Sequence, residues 1–172
     1  MIKSELKQGE IGDFYWGYIN RINDDADLIE TLKDNTKEFS EFLESIPKDK
    51  WDYRYSPEKW SILEMIQHII DTERIFQYRA LCFARNENGS LPGFDHDVYV
   101  LNSDAEKRKP ADLIEEFKCV RESCLFLYKS FSDERLQIIG NMNDMNATPR
   151  AIGFIMAGHA LHHKEIISNK YL

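Results

Sequence analysis

The side chains of this chain best placed to do chemistry are three histidines near its C-terminus, in the run IMAGHALHHKEIISNKY. On a helix turning about 100° per residue, Ile152, Met156, His159, His163, Ile166 and Ile167 share an arc of about 120°. His159 and His163 lie near the middle of that arc, where a packed helix normally carries Leu or Ile. Two imidazoles one turn apart, with Cβ atoms roughly 5–6 Å from each other, make half of a metal site. His162 falls about 60° from His159, at the edge of the stripe, and is set outside the ligand set.

A third nitrogen has to come from another helix, and His68 is the candidate. It lies about 100° from the middle of its own apolar stripe and so faces a neighbouring helix rather than the main core. Three neutral imidazoles leave an open coordination position, the arrangement that activates water or another nucleophile. Nitrogen ligation suits a divalent ion, zinc or nickel first, with iron, manganese or copper as alternatives. The competing reading is that these are buried histidines bonded to carbonyls or carboxylates, holding no ion. His96, between Asp95 and Asp97, reads as a surface residue of a loop.

Four helices are needed to position this set. Leu28, Ile29, Leu32, Phe39, Phe42, Leu43 and Ile46 carry a helical stripe from about Asp25 to Ile46, stopped by Pro47. Trp51, Tyr53 and Tyr55 alternate with polar residues and permit a short extended stretch. A second helix enters at Ser56-Pro57 or at Ser61, whose Glu64 three residues on has capping-box spacing. It runs to about Arg85 and ends near Asn88-Gly89. Pro110 opens a third helix over 110–131, and Thr148-Pro149 opens the last. The long connection at 89–109, with its Pro92-Gly93 turn, is expected to be functional. Residues 132–147 read as a polar, turn-rich link. The expected fold is all-α: one four-helix-bundle domain over 1–172 with a long connection between helices 2 and 3.

Two charges fall on inner faces. Glu73 projects among Ile66, Ile69, Phe76 and Ala80, and Arg121 sits on the shoulder of the third stripe beside Tyr128. Either the two pair inside the bundle, or the second helix is rotated and Glu73 reaches solvent. Arg74 and Arg79 lie on other faces of the same helix and rank lower as partners. The aromatic run Phe14, Tyr15, Trp16 and Tyr18 forms either a short helical turn or an extended arm. It serves as a lid over core surface or as a pocket wall.

The net charge of −8 without a clustered basic patch argues against a nucleic-acid partner. No apolar run is long enough to span a membrane, and the N-terminus lacks a signal-peptide core, so a cytoplasmic location is expected. Cys82, Cys119 and Cys124 lack CxxC spacing and read as free, buried thiols.

The stretch KWSILEMIQHIIDTERIFQYRALCFARNENGSLPGFDHDVYV, with IMAGHALHHKEIISNKY later, resembles the DinB/YfiT-like superfamily from about Asp25 to the C-terminus. The resemblance implies a four-helix bundle with a metal site of three histidines, one from the second helix and two from an HxxxH on the fourth. Those positions match His68, His159 and His163. It also implies a homodimer and a small-molecule substrate. Some relatives are transferases or isomerases that use a low-molecular-weight thiol, and many are described as metal-dependent hydrolases without a known substrate. The expectation is therefore a metal-dependent hydrolase or thiol S-transferase, with Phe14–Tyr18 and Pro92–Val100 as candidate pocket walls. The alternative is a non-catalytic helical protein that binds metal for stability or sensing. A sealed site with four protein ligands would favour that alternative, and an open position facing a cleft would favour the enzyme.

Overall fold

A computed structural model describes residues 1–87 and 89–172. Its helix boundaries follow from local chemistry. Asp27 accepts hydrogen bonds from the Ile29 and Glu30 amides and starts α2, Leu28–Glu44, after the short α1, Trp16–Ile19. Ser61, not Ser56, starts α3, Ile62–Ala84, through a reciprocal capping box with Glu64. Pro110 at the first turn opens α5, Pro110–Lys129, and Thr148 caps α7, Pro149–Lys170.

Three expectations need correction. The helix α3 stops before Asn88, which lies outside the described residues. Asn86 adopts a left-handed φ of 63°, and the Asn86 and Glu87 amides close back on the Phe83 and Cys82 carbonyls. That pattern caps the helix. The Trp51–Tyr55 stretch is not a strand: it forms turns after a 3₁₀ segment at Lys48–Lys50, and Tyr53 and Tyr55 set their rings against Tyr171. The two polar connections also carry structure. The first contains β1, Ser90–Leu91, and α4, His96–Leu101. The second contains α6, Asp133–Leu136, and a hairpin of β2, Gly140–Met142, with β3, Met145–Ala147. Asn143 and Asp144, with φ of 51° and 59°, supply the two left-handed turn positions such a hairpin requires. β1 pairs with β2 in parallel, and β2 with β3 antiparallel.

The four long helices form the bundle. α2 packs on α5 and α7, and α3 packs on the same two, so α2 and α3 occupy opposite corners, as do α5 and α7. The core divides into two apolar clusters. One gathers Leu28, Phe76, Phe83, Tyr128 and Phe154; the other gathers Phe39, Leu43, Ile66, Phe117 and Ile167. Each long helix also buries polar side chains, among them Asn35, Glu73, Arg121 and His159. No helix among the described residues is long and apolar enough to cross a membrane. Of the three cysteines only Cys124 is buried; Cys82 is half-buried and Cys119 exposed, and all three are free.

Candidate metal centre

His159 and His163 leave α7 one turn apart, and His68 meets them from α3, which packs directly on α7. The Nε2 atom of His159 lies 3.2 Å from that of His68 and 3.0 Å from that of His163. An imidazole nitrogen carries either one lone pair or one proton, so His159 Nε2 cannot satisfy both neighbours by hydrogen bonding. Nitrogens bound to one ion at about 2.0–2.1 Å stand roughly 2.9–3.4 Å apart for angles from right to tetrahedral. The measured separations fall in that interval, so the three residues fit a shared cation.

All three rings are buried. Burial, followed by repulsion from the His96 side, pushes the His68 pKa down to about 4. Burial, together with the neighbouring imidazoles, holds His159 and His163 well below the ordinary value. The rings are therefore neutral at physiological pH, the form that ligates. Packing fixes their orientations. Trp60 lies against His68 with ring centroids 4.9 Å apart, and the Tyr18 ring meets His159 edge-on at 5.3 Å. Thr72 Oγ1 stands 3.5 Å from His68 Nδ1, whereas His163 Nδ1 is buried without a protein partner.

The group opens on a cavity of about 490 Å³. Phe14, Tyr15 and Tyr18 form one wall, while Trp16, with Tyr15 and Tyr18, also packs on the core, so the aromatic run both lines the pocket and covers core surface. Gly93, Phe94 and His96 form another, as expected for that connection. His96 is exposed, yet its ring lies 5.8 Å from that of His68, so it overhangs the site instead of pointing away. His162 stays outside the cluster. Its Nδ1 faces Arg21 at 3.1 Å, and Arg21 in turn bonds Glu165. Trp60, Arg79, Asn143 and Met145 also line the cavity and were not anticipated.

Residues 31–167, well over half of the chain, match the model of the DinB superfamily. The chain belongs to the DinB superfamily. Bacillus subtilis YfiT, described as a probable metal-dependent hydrolase with an unusual four-helix bundle topology, superposes with a TM-score of 0.73. The match covers 82% of this chain and 82% of that one at 15% identity, a likeness of fold. No curated protein sequence matches this DinB-superfamily chain. Within the DinB match fall α3, α5 and most of α2 and α7, hence every histidine of the cluster.

Proposed function

We propose that His68, His159 and His163 hold a divalent metal ion and that the protein is a metal-dependent hydrolase of a small molecule bound in the adjoining cavity. The observation that carries this reading is the convergence of three neutral imidazole nitrogens at the wall of an open pocket. A sealed site would have favoured a structural or sensing role. Such an ion, when bound, supplies Lewis acidity and lowers the pKa of a water or thiol delivered to it. The surrounding residues hold the imidazoles in place and limit the approach. Trp60 and Tyr18 lock two of the rings, and Phe14, Tyr15 and Phe94 present apolar surface to the substrate.

No Asp or Glu is among the described residues lining the cavity, so proton transfer falls to histidine. His96 is the residue for that role, since it overhangs the cluster and reaches solvent. The cysteines do not line the cavity, so a thiol nucleophile would have to enter as a small molecule. The test is a panel of ester and amide hydrolysis and thiol-conjugation assays on metal-loaded and chelator-treated protein. Hydrolysis that depends on the ion and on His96 supports the reading. Activity confined to thiol conjugation would replace it with S-transfer, and no metal-dependent turnover of any class would reject both.

A further inference from the structure

Arg79 is the one permanently charged side chain lining the cavity among the described residues, and it is only 3% exposed. Among the described residues no carboxylate lies within ion-pair distance of it, the arginines of the neighbouring faces taking theirs elsewhere. Its neighbours are neutral. One terminal nitrogen donates to the Pro92 carbonyl at 2.7 Å and the other faces Met142 Sδ at 3.6 Å. The guanidinium lies between the Phe76 and Phe94 rings, 5.6 and 5.8 Å from their centroids. Two of its five N–H donors are thereby engaged and the Tyr15 hydroxyl lies within hydrogen-bond reach as well, but none of these partners is charged, so the positive charge itself is not compensated. A buried cation without a counter-ion is costly to the fold, and a chain of net charge −8 has many carboxylates that could have been placed beside it. Instead the cavity contains none.

We propose that the cavity takes a small molecule bearing a carboxylate, and that Arg79 receives this group away from the three histidines. The proposal deepens the hydrolase reading by assigning a substrate class, and it rests on that reading only for the reacting end. Arg79 follows His68 by three turns of α3, a rise of about 16 Å with a net rotation of about 20°. The two therefore share a face but mark separate ends. Allowing for the length of the arginine side chain, the carboxylate would sit on the order of 10 Å from the imidazole cluster. The spacing selects an elongated acid over a simple one such as acetate. The aromatic walls suit an apolar body between the two ends. A single fixed cation matches a monoanion, and the planar fork of Arg matches a carboxylate.

The test uses 4-phenylbutyrate and its neutral isostere 4-phenylbutyramide, titrated calorimetrically into metal-loaded and chelator-stripped wild type and into Arg79→Gln. Gln removes the charge while keeping a polar amide, and circular dichroism checks that the variant is folded. The acid is expected to bind at least about tenfold more tightly than the amide in both wild-type forms, and the preference should vanish in Arg79→Gln. Equal affinities in wild type, a preference that persists in Arg79→Gln, or no binding of either probe would overturn the proposal. So would a preference lost on stripping the metal, because the carboxylate would then sit on the ion. If Arg79→Gln fails to fold, the wild-type comparison still decides. Metal content, measured separately, shows whether the metal-site reading has failed while the anion subsite stands.

Discussion

Arg121 Nη2 lies 2.6 Å from the Glu73 carboxylate in the middle of the bundle, and neither side chain exceeds 1% exposure. The contact joins α3 to α5, and the same nitrogen donates to the Met156 carbonyl of α7 at 3.0 Å. Burial drives the Glu73 pKa up, and Arg121 opposes that rise. Glu73 is thus kept from solvent, as one of the two sequence readings required. Removing one partner leaves a buried charge unmatched, so Glu73→Gln or Arg121→Met alone should cost about 3–5 kcal/mol. The double variant should lose less than the sum, with a coupling above about 1 kcal/mol in chemical denaturation. Additive losses would mean that the contact contributes no pairing energy.

Gly158 lets the aromatic wall reach the metal centre. A Cβ at that position would overlap the backbone carbonyl of Tyr18, the residue whose ring meets His159. In an open helix, Gly→Ala gains up to about 1 kcal/mol. Here Gly158→Ala should instead destabilise by about 1–3 kcal/mol through overpacking and weaken metal retention by displacing Tyr18. Thermal unfolding and metal content read both effects, and a rise in Tm would show that the wall is not packed as described.

Glu10 ties the N-terminal segment to the start of α7. Its carboxylate accepts from Arg150 Nε at 2.7 Å and from Thr148 Oγ1 at 3.0 Å. Burial alone would raise its pKa, but the Arg150 hydrogen bond, with support from Lys7 and Thr148, carries it below the ordinary 4.5. A depressed folded-state pKa gives stability that is present above about 4.5 and lost as pH falls through the folded value. Glu10→Gln should therefore cost about 1.5–3 kcal/mol near neutrality and almost nothing once the wild-type carboxyl is protonated. Denaturation curves across that range check it; a constant difference would contradict the linkage.

How much could be read from the sequence depended on whether one helix carried the information. His159 and His163 are i and i+4 on an apolar face, and Glu73 and Arg121 are charges out of phase with their surroundings, so helical periodicity alone exposes them. His68 was legible for the same reason. The hairpin at 140–147 was not, because strands of three residues are too short to show alternation. From helical periodicity Arg79 is visible only as a lower-ranked partner for Glu73. Its place in the cavity depends on Phe94, from the connection after α3, and Tyr15, from the N-terminal segment, neither of which a helical wheel can place. The diagonal arrangement of α2 and α3 was equally hidden, since a stripe shows which face is buried but not which helix covers it.

The proposed metal centre requires three particular histidines to hold one ion. Elemental analysis of the wild type and of His68→Ala, His159→Ala, His163→Ala and His162→Ala, each reloaded with zinc or nickel and desalted, tests it most directly. About one ion per chain is expected in the wild type, with sharp loss in the first three variants and near-wild-type content in His162→Ala. Equal loss in all four variants, or no retained ion in the wild type, would contradict it.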